Sequence, residues 1–151
     1  MRRTYLFAIL GAIVVFVVIS VLLARVFSAN SAEQSAITSL VNAQARGDTN
    51  AIISEIVGCE TTPACRLRAS ENATTLRHPG AVSIIQIQPS TSFSIAGTLG
   101  TARVAWNVGG SLPIVQCVLV RRTGNVISGL HVRLLEVSRR IKSDTACPAH
   151  Y

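Results

Sequence analysis

The stretch TARVAWNV, residues 101–108, decides the fold of this chain. Apolar residues recur in it at every second position, and four of them share one face: Ala102, Val104, Trp106 and Val108. A period of two is typical of a β-strand that packs one face on a core and leaves the other to water. We therefore predict a strand here, with helices packed against its apolar face.

Segments of similar pattern surround this stretch, so we predict five strands: 82–88, 93–98, 101–108, 113–121 and 126–137. The breaks between them consist of residues that favour turns, among them Gly97 to Gly100, Gly109-Gly110 and Thr123-Gly124-Asn125. Connections this short join antiparallel neighbours. The five strands are therefore expected to form an antiparallel meander.

Helical signals occupy the region before the first strand. Ser31 and Gln34 form a capping box for a first helix, which Gly47 ends. Asp48 caps a second helix, and Thr62-Pro63 starts a third with proline at its first position. Together with the strands, these signals predict an α+β domain in which about three helices pack on a five-stranded antiparallel sheet.

The N-terminal segment from Tyr5 to Ala24 carries no charge. A helix of this length rises about 30 Å, the thickness of the hydrocarbon core of a bilayer. Arg2 and Arg3 precede the segment, so the positive-inside rule places the N-terminus in the cytoplasm. We predict a single-pass protein of the cell membrane, with the lipid bilayer as a partner. Its parts are a cytoplasmic N-terminus (1–4), a transmembrane helix (5–27), a linker (28–32) and an extracytoplasmic α+β domain (33–151).

A cleaved signal peptide is the alternative interpretation of the same segment. Val26-Phe27-Ser28 and Ala29-Asn30-Ser31 are passable cleavage sites, because each has small residues at the key positions. The apolar stretch is, however, longer than the core of about 7–15 residues that signal peptides use. Both interpretations export the domain from the cytoplasm.

The cysteines agree with an exported domain. All four follow the apolar segment: Cys59, Cys65, Cys117 and Cys147. An even number in an exported domain is typical of disulfides, and the spacing does not fit a zinc site. Cys59 and Cys65 flank the connection between the second and third helices, whereas Cys117 lies within a strand and Cys147 in the tail. Of the three pairings open to four cysteines, this placement favours Cys59–Cys65 and Cys117–Cys147.

The charge of the chain is basic, with 14 Lys and Arg residues against 7 Asp and Glu residues. Of these basic residues only Lys142 is a lysine, and such a preference for arginine over lysine is typical of a GC-rich bacterial genome. Two basic clusters are expected at opposite ends of the sheet: Arg121 and Arg122, and Arg139, Arg140 and Lys142. The second is a candidate contact for anionic headgroups, with an ordinary solvated surface as the alternative. Nucleic acid is not expected as a partner, because the chain has few aromatic residues for base stacking.

Three residues are candidates for a ligand pocket on the sheet: Trp106, His131 and Arg103. The alternatives are that His131 lies on the surface and that Trp106 belongs to the core, where its N–H needs a partner. The sequence contains no constellation of residues typical of a catalytic or metal site. We therefore expect no catalytic activity, no metal and no cofactor.

The segment VNAQARGD, residues 41–48, looks like the A-x-x-x-G-D turn between the first two helices of the nuclear transport factor 2 superfamily. The order of three helices followed by a meander of long strands resembles that superfamily over about residues 31–137. The resemblance implies a cone-shaped α+β domain whose curved sheet wraps the first helix and leaves a pocket at its open end. Members of the superfamily include enzymes, ligand binders and scaffolds, so the fold does not assign a function.

These observations predict a non-catalytic binding or scaffolding module of a bacterial envelope, with an envelope protein as partner. A carrier or sensor of small apolar ligands that uses the cone pocket is the alternative. An enzyme is the third possibility.

Overall fold

The computed structural model describes residues 2–90, 98–125 and 129–148 of the chain. Three α-helices precede the sheet: α1 (Arg2–Arg46), α2 (Thr49–Glu55) and α3 (Pro63–Thr75). A short 3₁₀ helix, Cys59–Thr61, joins α2 to α3. Four strands follow: β1 (Val82–Gln88), β2 (Thr98–Val108), β3 (Ile114–Asn125) and β4 (Gly129–Val137). The α+β class is thus as predicted.

The sheet has the order β1-β2-β3-β4, with each strand antiparallel to its neighbour. The described residues contain four strands, so the prediction of five is wrong. Its error lies at Gly100, which was expected in a turn but pairs with Val120 inside a continuous β2. The predicted strand at 93–98 lies outside the described residues except for Thr98, which belongs to β2.

The last hairpin also differs from the prediction. Thr123, Gly124 and Asn125 were expected to form its turn, but all three belong to β3. They pair with residues of β4, for example Thr123 with His131. Arg121 and Arg122 therefore lie within the hairpin and not at its end.

Local signals at the helix boundaries are confirmed. Asp48 caps α2, and its side chain accepts a hydrogen bond from the backbone N–H of Ala51 at 3.0 Å. Thr62 and Pro63 start α3. Gly47 ends α1 with a positive φ of 72°, and a Cβ there would come within 3.0 Å of the Ala73 carbonyl oxygen. Glycine at this position therefore permits both the turn and the close approach of α3.

Helix α1 is one continuous helix of 45 residues. Ser31, expected to start a helix, lies inside α1, and so does the linker expected at 28–32. The C-terminal part of α1 packs in the core through one stripe of buried residues: Glu33, Ile37, Leu40, Val41 and Gln44. Ahead of it, the large apolar side chains from Ile9 to Leu23 whose exposure is described are 45–71% exposed. We call residues 9–23 the apolar arm.

The prediction of a transmembrane helix over 5–27 is wrong. Among the residues that the structure describes, no helix combines the length and the apolar character that crossing a membrane requires. The predicted single-pass membrane location is overturned by the same finding.

Both predicted disulfides are confirmed: Cys59 pairs with Cys65, and Cys117 pairs with Cys147. Cys117 lies on the face of the sheet that points away from the helices, which we call the outer face. The second disulfide holds the C-terminal tail against this face, and Ile141 forms a β-bridge with Val115 there. Cys117 and Val115 are buried as a result.

Candidate functional site

The three candidate pocket residues do not come together. Trp106 lies on the inner face of the sheet, within the core, and is 0% exposed. Arg103 points to the outer face, where its guanidinium donates to the Ser143 carbonyl oxygen of the tail. His131 is exposed near the other end of the sheet, opposite Thr123. Since Arg103 pairs with Cys117, about 20 Å of strand separates it from the position of His131.

The position next to Trp106 on the inner face is filled by a hydrogen-bonded polar network. The indole N–H of Trp106 donates to Gln116 Oε1 at 3.1 Å, and Gln116 Nε2 donates to the Ser138 carbonyl oxygen at 3.0 Å. Asn72 of α3 donates to the same carbonyl at 3.1 Å. Buried polar groups with satisfied hydrogen bonds favour one unique arrangement of the core.

A second polar contact lies where α1 crosses the sheet. The Glu33 carboxylate is 0% exposed and receives Arg122 Nε at 2.7 Å and Arg122 Nη2 at 2.5 Å. Ser90 adds its backbone N–H at 3.0 Å and its hydroxyl at 3.1 Å. Four donors on one buried carboxylate compensate for its lost hydration. This ion pair joins α1, β3 and the segment after β1, and its role is to hold these three parts of the fold together.

Sequence reasoning missed this ion pair, although the sequence carries a signal for it. Glu33 lies four residues before Ile37 and therefore continues the apolar stripe of α1. A carboxylate in an apolar stripe requires a buried partner, and arginine is the usual one. Gln44 lies on the same stripe and is 0% exposed, and neither of its amide atoms has a hydrogen-bond partner among the described residues.

Two of the three basic residues that were expected to contact anionic headgroups bind groups within the domain instead. Arg139 binds Glu71 through two hydrogen bonds of 3.0 and 2.7 Å. The hydrogen bond from Arg139 is the largest cause that lowers the pKa of Glu71 below its usual value. Arg140 donates to the Pro113 carbonyl oxygen at 3.1 Å. Of this cluster, Lys142 alone makes no side-chain hydrogen bond or ion pair to the described residues.

The structure brings together a different set of basic residues. Arg121 of β3 lies directly opposite Arg133 of β4, and Leu99 of β2 lies opposite Arg121 on its other side. All three side chains are exposed. They form a line across the outer face that we call the basic row, and His131 lies two residues along β4 on the same face. Neither Arg121 nor Arg133 has an ion pair within the described residues.

This arrangement is unfavourable for the isolated fold. Side chains directly opposite each other on neighbouring strands lie about 5 Å apart at Cβ, and like charges there are destabilising. Glu136 is the nearest carboxylate by register, opposite Leu119, and it forms no ion pair with the row. Other arginines of the domain have partners, as Arg122 and Arg139 show. The basic row therefore presents two charges to solvent.

The described residues contain no group of three or more His, Cys, Asp or Glu residues that could hold a metal ion. Comparison with models of known families, with curated proteins and with solved structures found no match for this chain. The resemblance to the nuclear transport factor 2 superfamily therefore stays a prediction.

Proposed function

We propose that this protein is a non-catalytic binding or scaffolding module that meets a protein partner through its surface. The observation that carries the proposal is the filled inner face of the sheet, where Trp106 is 0% exposed and its N–H is satisfied by Gln116. A carrier of small apolar ligands would need an open chamber at that position. The described core offers packed side chains in its place.

The outer face supports the same proposal. The tail covers one part of it, around Cys117 and Val115, and leaves the basic row open. Functional surfaces commonly carry residues that are unfavourable for stability, because selection for binding opposes selection for a stable fold. Arg121 and Arg133, which lie opposite each other and form no ion pair with the described residues, fit this description.

Photo-crosslinking in the host cell tests the proposal. A photoreactive residue at position 131, beside the basic row, should yield discrete adducts with another protein. The matched control is position 67 in α3, where the side chain of Leu67 is also exposed, at 63%. Adducts from position 131 but not from position 67 support a specific binding surface. Equal adducts from both, or a small molecule that copurifies with the protein in stoichiometric amount, would overturn the proposal.

A further inference from the structure

We propose that the basic row binds an extended acidic segment of a partner polypeptide, with carboxylates on Arg121 and Arg133 and an apolar side chain on Leu99. The inference rests on the proposed function and names the surface and the chemistry of the partner. Three observations support it: the three residues pair across β2, β3 and β4, their side chains are exposed, and neither arginine forms an ion pair with the described residues.

The charge of the row favours an anionic partner. The chain has a formal net charge of +7, and in the basic row Arg121 and Arg133 lie opposite each other with no ion pair to the described residues. Each guanidinium presents a planar fork that matches the two oxygens of a carboxylate. A bound acidic segment would also remove the repulsion between the two arginines.

The shape and apolar end of the row favour a polypeptide over a phosphate polymer. Leu99 is 55% exposed at one end of the row, and a peptide can supply an apolar side chain for it as well as carboxylates. Strands lie about 4.8 Å apart, so the row spans about 10 Å, and the three side chains on one face of a five-residue extended segment, about 7 Å apart, cover it. The row itself holds no aromatic side chain on which nucleic-acid bases could stack. The two disulfides are typical of an oxidising compartment.

The experiment measures fluorescence anisotropy of a labelled peptide, the Glu–Leu peptide, which carries Glu, Glu and Leu at every second position with Ser between them, so that all three side chains share one face when the peptide is extended. It is titrated with the full chain in a non-ionic detergent. Its uncharged counterpart carries Gln in place of Glu. We expect binding of the Glu–Leu peptide only, and weaker binding as the salt concentration rises, because exposed charges are screened. Arg133→Glu should weaken binding by at least about tenfold. Arg133→Lys keeps the charge but loses the fork, and should cause a smaller loss.

The control variant is Arg66→Glu, which makes the same change of charge at an exposed residue of α3. It should leave binding unchanged. Arg133→Glu places opposite charges across from each other, so it should raise the melting temperature by about 1–4 °C. A rise in melting temperature together with lost binding excludes unfolding as the cause.

Two outcomes would overturn the inference. Equal losses in Arg133→Glu and Arg66→Glu would show that net charge alone attracts the peptide. Binding of inorganic polyphosphate that is tighter than that of the Glu–Leu peptide, and that Arg133→Glu also abolishes, would assign the row to phosphate. If position 131 still forms protein adducts in cells under either outcome, the proposed function stands and the acidic-segment inference fails. If those adducts are absent as well, both fail.

Discussion

The buried ion pair between Glu33 and Arg122 allows a quantitative test of how the helix is held on the sheet. Glu33→Gln keeps the size of the side chain but removes its charge, and so breaks the ion pair with the Arg122 guanidinium, which is 8% exposed. Removal of one partner from a buried ion pair costs about 3–5 kcal/mol. The total stability of a domain is about 5–15 kcal/mol, so the loss is a large part of the whole.

Urea unfolding followed by the fluorescence of the only tryptophan, Trp106, measures this loss. With a slope of about 1–3 kcal/mol per molar urea, the midpoint should fall by about 1–5 M. Glu60→Gln is the control, because Glu60 is exposed and makes no ion pair in the described structure. The double change of Glu33 to Leu and Arg122 to Met should recover most of the lost stability, since apolar replacements of buried ion pairs are often neutral or better. A loss below about 1 kcal/mol for Glu33→Gln would refute the reasoning.

Three further predictions concern other parts of the molecule. Gln44→Met should raise the free energy of unfolding by about 1–3 kcal/mol, because it removes a buried amide that has no hydrogen-bond partner in the described part of the chain; a lower free energy of unfolding, measured with urea, would contradict this. Arg139→Gln should raise the pKa of Glu71, measured by NMR titration, because the hydrogen bond that lowers it is lost. In the parent chain that lowered pKa stabilises the fold above the pKa of the unfolded state, and the contribution is lost as the pH falls through the folded pKa. A pKa of Glu71 that does not move would contradict the assignment. Deletion of residues 2–28 should let the domain stay in solution without detergent, because the exposed apolar arm is removed. Sedimentation of the parent and the truncated chain checks this. Aggregation of the truncated chain as well as the parent would show that the arm is not the cause.

Local chemistry in the sequence predicted several features correctly. The cap at Asp48 and the proline at the start of α3 act through neighbouring backbone groups, so a few residues suffice to identify them. The cysteine pairs followed from the expected order of elements, because Cys59 and Cys65 flank one short connection. The predicted order of helices and strands was correct, although the predicted number of strands was not.

The errors arose where tertiary pairing overrode local preference. Gly100 and Gly124 have turn chemistry, yet both lie in strands because their neighbours complete the ladder. Ser31 was expected to cap the start of a helix, but the residues before it are also helical, so α1 continues through it. Such choices depend on partners that are distant in sequence.

The candidate site was missed for a related reason. Arg121 and Arg122 were assigned to one cluster, but successive residues of a strand point to opposite faces. Arg122 points inward to Glu33, while Arg121 points outward to the row. The partner of Arg121 in that row, Arg133, became visible only when the register of β3 and β4 was known.

The most direct test of the central claim is crosslinking in the host cell from position 131 in a chain that also carries Arg133→Glu. If the basic row is the binding surface, the protein adduct that forms in the parent chain disappears in this variant and persists with Arg66→Glu. An adduct that persists unchanged in the Arg133→Glu chain would show that the partner binds elsewhere, and would contradict the account.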